Sequence, residues 1–442
     1  MVKLYEGNMR KNFFIFSVPL VLTIFLTNAY QIVNTMMSGY LLGEQSISAI
    51  GSTAPLISFI SSIFWGYGTG FSVYVAMLIG RDDYKKMVNV IKLNMILSSL
   101  VIILLSALCI IFYNPIFDFL NIESEIRTDA FIYYAIYIAG LVFFNMNWCG
   151  IYISNALGMT KFPLYASMLS NILNILLSYM LVKFFDMGVA GFAVAAVASA
   201  FAVAVFYVFA IARFLIKSNI DLKGMYYDKS ELKNSLIYAF PSSLQQSIMY
   251  LCTALVSPLT NLCGASAIAG YTVGMRIYDI EAGIYQNSNK TISTGIAQCV
   301  GAGRYDLFKK VIKTGTTQTF IILAIFLIPV IIFGDFISDL FLDLPESIKY
   351  ASIFLKYCLP FVIFNVFNNL YHAVFRSSGA GRYLVISTFV YALARAGFSY
   401  LLYDKFRMNG IYAAIVLSWI IEAIFGSVIY FSGKWKSDTI KA

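Results

Sequence analysis

Twelve runs of predominantly apolar residues divide the chain, at roughly 13–38, 47–79, 87–113, 128–157, 164–185, 189–216, 235–262, 267–300, 309–333, 348–378, 383–403 and 410–433. Each is about as long as, or longer than, the ~20 residues an α-helix needs to cross a bilayer. Backbone surrounded by hydrocarbon must satisfy itself, and helices do so at this run length. Composition agrees: 60% of the 442 residues are hydrophobic and only 12% are charged, against about 25% charged in soluble domains. The sequence is therefore that of an all-α membrane protein with twelve transmembrane helices.

The net charge of +9 does not require a nucleic-acid partner. With twelve spans, 21 of the 31 basic residues fall on the side that carries both termini, and five fall on the opposite side. The positive-inside rule then places both termini in the cytoplasm, and the plasma (inner) membrane is the expected location of this multi-pass protein. The first run lacks an A-x-A-like end and is expected to be a retained span, not a cleaved signal. Cys109, Cys149, Cys252, Cys263, Cys299 and Cys358 are scattered singly, with no CxxC spacing. They suit small buried hydrophobes, so neither disulfide nor metal site is expected.

An internal repeat constrains the arrangement further. Gly43 and Gly264, Gly80 and Gly301, Asp118 and Asp339, Glu125 and Glu346, Asn147 and Asn368, and Gly158 and Gly379 are all 221 residues apart. Pro19 and Pro241, and Gly188 and Gly410, are 222 apart. The expected organisation is an N-lobe (1–216, spans 1–6), a cytoplasmic linker (217–234) and a C-lobe (235–442, spans 7–12). Six spans per half is an even number, so a pseudo-twofold axis relating the two six-helix lobes runs along the membrane normal. The hydrophilic 217–234 stretch reads as a solvated connector.

The eighth run, 268–301, is the costly one, because it carries Arg276, Asp279, Glu281 and Lys290. Each unpaired charge at the centre of a membrane helix costs roughly 2.5–3.5 kcal/mol on insertion scales. At about 100° per residue, Arg276, Asp279, Gly283, Asn287 and Lys290 share one face, and Glu281 points away. Two readings are open. The face lines a route for ion and cargo, or it belongs to a buried ion network with Arg395, Lys356 or Glu422.

Several short stretches carry a family likeness. The first half reads Pro19, Tyr30-Gln31-Ile32-Val33-Asn34-Thr35-Met36-Met37-Ser38-Gly39, Leu42-Gly43 and Ile47-Ser48-Ala49-Ile50-Gly51. The second reads Phe240-Pro241 and Gly264-Ala265-Ser266-Ala267-Ile268-Ala269, and the turns Gly80-Arg81-Asp82-Asp83 and Gly301-Ala302-Gly303-Arg304 follow their halves. In order, spacing and duplication the chain resembles the multidrug and toxic compound extrusion (MATE) family over essentially its whole length. The resemblance implies two six-helix lobes around a cleft, alternating access, and export of amphipathic compounds in exchange for protons or sodium ions. It implies a small-molecule substrate, a monomer in the lipid bilayer, and no cofactor beyond the coupling ion.

The chain departs from the family where many relatives carry acids. Asn34 stands in the first span, Asn174-Ile175-Leu176-Leu177-Ser178 replaces an Asn-x-x-x-Asp pattern in the fifth, and the second-half positions fall near Gln245 and Asn365. Amides and hydroxyls bind cargo but do not exchange a proton at working pH. Ion coupling is therefore expected at Asp279, with Glu281 and His372 as further candidates. Cargo contacts are expected among Tyr30, Gln31, Asn34, Asn147, Asn174, Ser178, Gln245, Gln246, Arg276, Asn287, Lys290, Asn365, Asn368 and Arg395. The surplus of bases over acids inside the spans keeps one alternative, a flippase for an anionic lipid-linked precursor. A membrane-embedded enzyme lacks a nucleotide loop, a metal cluster or a nucleophile with its base.

Overall fold

The computed structural model describes residues 3–120, 122, 124–221 and 226–436, and no strand occurs among them. Glu123 and the side chain of Gln31 lie outside the described residues. The helices are α1 (Met9–Gly80), α2 (Tyr84–Ile111), α3 (Tyr113–Phe119), α4 (Arg127–Ala139), α5 (Leu141–Ala156), α6 (Lys161–Lys183) and α7 (Gly188–Lys217). They continue with α8 (Lys229–Asn261), α9 (Ala265–Gly301), α10 (Phe308–Ile332), α11 (Gly334–Phe341), α12 (Pro345–Ile353), α13 (Val362–Ser377) and α14 (Gly381–Ser432).

Among the described residues eight helices, or nine with the bent pair α4–α5, are long and apolar enough to cross a membrane. Two of them lie within α1, at Met9–Thr27 and Ser48–Gly80. The turn expected near Leu42-Gly43 is helical instead. Its counterpart between α8 and α9 does break, where Pro258 removes a backbone donor and Gly264 takes φ 91°. The long α8 and α9 do not pass as spans on hydropathy, because Ser, Gln, Thr and Asn side chains dilute α8 and the charged residues that single out the eighth run dilute α9. α14 holds the last two runs, joined at Arg407 with φ 49° and ψ −126°.

The repeat is written into the backbone as well as the sequence. Positive φ occurs at Asp82 and Gly303 (57° and 69°), Gly158 and Gly379 (81° and 79°), and Asp186 and Arg407 (52° and 49°). Each pair is 221 residues apart. The short helices α3 and α11 begin one step apart, at Tyr113 and Gly334. The fourth span of each half is broken at the same place. α4 and α5 bend by 47° at Gly140, and α12 reaches α13 through a π-turn (Phe354–Cys358) and a 3-10 turn (Leu359–Phe361) containing Pro360.

By compactness the chain forms two units, Leu22–Ala239 and Lys3–Val21 with Phe240–Ala442. The leading segment of each half thus packs with the other half of the sequence. In the second unit, the Leu4 amide donates to Gln298 Oε1 (2.9 Å), Gln318 Nε2 donates to the Arg10 carbonyl (2.7 Å), and Phe13 lies against the space beside Gly315. In the first unit, the Tyr226 amide donates to Asn89 Oδ1 (3.3 Å) and Asn94 Nδ2 donates to Ser235 Oγ (3.0 Å).

The end of the connector is therefore not solvated, contrary to its reading from composition. Glu231 is buried, accepts the Tyr74 hydroxyl at 2.6 Å, and lies 3.5 Å from Lys86 Nζ. Glu231, ahead of Asp83, raises the Lys86 pKa. Asp228 caps α8 by accepting from the Ser230 amide (2.9 Å), the Ser230 hydroxyl (2.7 Å) and the Glu231 amide (3.3 Å). Led by the Ser230 hydroxyl, these bonds hold Asp228 below the usual carboxylate range. A depressed carboxylate stabilises above its unfolded pKa, and that contribution is lost as pH falls through the folded value. Amide-exchange protection at Ser230 and Glu231 is expected to drop as pH is taken below about 4. Asp228→Ala should show the same drop at neutral pH.

Candidate functional site

The first unit holds a cavity of about 270 Å³ between α1, α4, α5, α6 and α7. Tyr30, Asn34 and Ile50 line it from α1, Tyr133 and Tyr137 from α4, and Phe144 from α5. Ser170 and Asn174 come from α6, and Phe192, Ala196 and Ser199 from α7. Asn174 is the hub. The Tyr30 hydroxyl donates to its Oδ1 at 2.6 Å, its Nδ2 donates to Ser199 Oγ at 3.3 Å, and Ser178 Oγ lies 3.5 Å from the same Oδ1. Tyr133 stacks on Tyr137 at 5.8 Å, and Tyr137 on Phe144 at 4.7 Å. Asn34 Oδ1 is buried with no hydrogen-bond partner in the protein, an acceptor left for something else.

Among the described residues, no lining residue of this cavity is charged. Tyr30, Asn34 and Asn174 thus line one cavity, with Ser178 beside Asn174, while Gln31 has no described side chain. Sequence reasoning missed Tyr133, Tyr137, Ser170 and Ser199. The only signal was two tyrosines four apart on one helix, which is common in a chain that is 17% aromatic. Asn174→Leu is expected to strand the Tyr30 hydroxyl and cost about 2 kcal/mol, since a buried unpaired polar group costs roughly 1–3 kcal/mol. A melting temperature equal to that of the unaltered protein would contradict the hub role.

The second unit carries the ionisable groups. Arg276 and Asp279 are exposed on α9, Asn287 and Lys290 further along are half-buried, and Glu281 on the other side is buried. Neither carboxylate oxygen of Glu281 has a hydrogen-bond partner. Lys290 Nζ donates to Asn287 Oδ1 (2.9 Å), and Asn287 Nδ2 points to the Leu20 carbonyl (3.4 Å). Asn365 Nδ2 reaches the Tyr278 and Tyr285 hydroxyls, both at 2.8 Å. Arg395, also buried, donates to the Tyr391 hydroxyl at 2.7 Å. Lys356 leaves the buried inventory, because it pairs with Asp335 at the surface.

His372 sits between Gln245 and Glu422. Gln245 Nε2 is 2.9 Å from His372 Nδ1, and His372 Nε2 is 3.0 Å from Glu422 Oε1. Arg376 donates to Gln245 Oε1 (2.6 Å) and to Ser242 Oγ (3.1 Å). Gln246, beside it in sequence, is half-buried. Asn147 and Asn368 use their amide nitrogens alike. Each donates Nδ2 to a backbone carbonyl of its half's last span, Ala200 (3.1 Å) and Trp419 (3.0 Å), fastening the bent span there.

Duplicated helical units, an aromatic cavity in one whose described lining is uncharged and buried ionisable groups in the other, define a polytopic membrane protein with polar sites inside both units. The MatE family model matches residues 19–180 and 239–401, once in each half. The probable multidrug resistance protein YpnP of Bacillus subtilis is 22% identical over 437 residues, covering 98% of this chain and 97% of that one. The multidrug export protein MepA of Staphylococcus aureus is 22% identical over 419 residues, covering 94% and 92%. Among solved structures, an outward-facing multidrug resistance MATE family transporter of the MOP superfamily superposes with a TM-score of 0.86 at 22% identity, covering 100% of this chain and 99% of that one. The chain belongs to the MATE family of multidrug efflux transporters, which are carriers and not enzymes.

Proposed function

We propose that the protein is a secondary antiporter that exports amphipathic small molecules by alternating access, driven by protons or sodium ions moving inward. The cavity of the first unit carries this reading. It combines stacked tyrosines, an unpartnered amide oxygen and no charge among its described lining residues, which suits flat cargo with a few polar groups. The names of the relatives, multidrug resistance and multidrug export, point the same way. The protein acts as a monomer in the plasma (inner) membrane, with both termini in the cytoplasm.

Coupling belongs to the second unit. In the first, apart from Glu44 on α1, whose side chain is not described, the described carboxylates lie at helix ends or in turns, whereas Asp279, Glu281 and Glu422 lie well inside the helices of the second. Asp279, on the exposed face of α9 three residues from Arg276, is the group at which ion and cargo compete. A flippase for an anionic lipid-linked precursor requires a basic lining, and the uncharged cavity favours the exporter. The test is dye movement in energised everted membrane vesicles. Ethidium accumulation that collapses when the ion gradient is dissipated supports the exporter. Movement of a fluorescent anionic lipid, with none of the dye, overturns it.

A further inference from the structure

We propose that Glu422 is a proton-binding carboxyl and that a directional hydrogen-bond chain keeps its neighbour, the only histidine of the protein, neutral. The inference deepens the antiport reading by naming a proton site within the second unit. Direction is set at Arg376, because a guanidinium has donors and no acceptor. Its contact with Gln245 at 2.6 Å fixes the amide oxygen on that side. The amide nitrogen must then face His372 Nδ1, 2.9 Å away, and donate to it. An imidazole that accepts at Nδ1 carries its proton on Nε2.

That Nε2 lies 3.0 Å from Glu422 Oε1, close but without the alignment of a full hydrogen bond. A second proton on His372 would set an N–H against the amide N–H, and the amide cannot turn over while Arg376 holds its oxygen. Glu422 is therefore the member that changes protonation. One turn earlier on both helices, the bond from Asn368 to the Trp419 carbonyl (3.0 Å) fixes His372 opposite Glu422.

The surrounding groups fit a proton better than a metal ion. Ser387 Oγ donates to Glu422 Oε1 at 3.4 Å, so donors approach the carboxylate, whereas hard cations take oxygen acceptors. No group of three His, Cys, Asp or Glu placed to hold a metal ion occurs among the described residues. From α14, Tyr391 is within electrostatic reach of Glu422 and also holds Arg395. From α8 come Gln245 and Ser242, both neutral. On α9, Lys290 is within electrostatic reach of Arg376 on α13.

A single histidine makes the test direct. Full-length protein without a histidine tag, labelled with 15N-histidine and held in lipid, is titrated across about pH 5 to 8. The expected spectrum is one neutral Nε2–H tautomer throughout, and an imidazolium signal growing in with acid overturns the proposal. Infrared difference spectra over the same range should show a protonated-carboxyl band that Glu422→Gln removes and Asp279→Asn and Glu281→Gln leave in place. A band unchanged in Glu422→Gln overturns the proposal too. Both readouts need no transport, so a protein that moves no dye refutes the exporter while leaving this test intact. The tautomer is read on the unaltered chain, whatever Glu422→Gln does to folding.

Discussion

A Gly70→Ala chain is expected to lose about 3 kcal/mol of stability, the upper part of the usual range for overpacking. Gly70 on α1 faces the start of α8 within the first unit, where a Cβ would lie 2.2 Å from the Tyr238 carbonyl oxygen and 2.5 Å from Ala239 Cα. Both obstacles are backbone, so no side chain can rotate away and the helices themselves must separate. That separation would loosen the nearby Tyr74–Glu231 and Asn94–Ser235 bonds, which tie the same stretch of α8 in place. The control is Gly51→Ala in the same helix, where nothing lies within 4 Å of the added carbon. There alanine should stabilise by up to about 1 kcal/mol, from helix propensity alone. Thermal unfolding of the purified proteins in detergent separates the two. Equal melting temperatures would mean that α1 and α8 do not meet at Gly70.

The second large effect concerns Asp279. One positive charge moving inward across 100 mV releases about 2.3 kcal/mol, enough for a cargo gradient of about 50-fold. Asp279→Asn keeps the size and hydrogen-bonding shape of the side chain but removes its charge. Gradient-driven accumulation in proteoliposomes should fall from about 50-fold to none, with dye exchange down its own gradient still present. Folding should be little affected, since Asp279 is exposed. Accumulation at the unaltered rate in the variant would remove Asp279 from the coupling path.

Much of the architecture was legible because a bilayer makes hydrophobic length decisive. The spans, the repeat step of 221 and the polar eighth span follow from residue type and spacing. What was hidden depends on which helix faces which. Spacing puts Glu281 opposite Asp279 on α9, and burial bears that out. Nothing in the spacing pairs His372 with Glu422, 50 residues away on another helix. The exchange of leading segments was hidden for the same reason, because Leu4 meets Gln298 only through tertiary packing. The Tyr133–Tyr137–Phe144 stack escaped notice since aromatic residues are abundant and most have ordinary packing roles. Lys356 lies inside the tenth run, but its partner is Asp335 and not the eighth run, a pairing that spacing along the chain does not show.

The central claim is that cargo leaves only as a cation comes in, with the exchange seated in the second unit. The most direct measurement records ethidium and ion flux together in proteoliposomes, under separately imposed pH and sodium gradients. The account predicts that dye moves uphill against one of these ions, that the two fluxes stop together when that gradient is removed, and that Asp279→Asn uncouples them. Dye moving uphill with neither ion flowing, or neither gradient moving any dye, would contradict it.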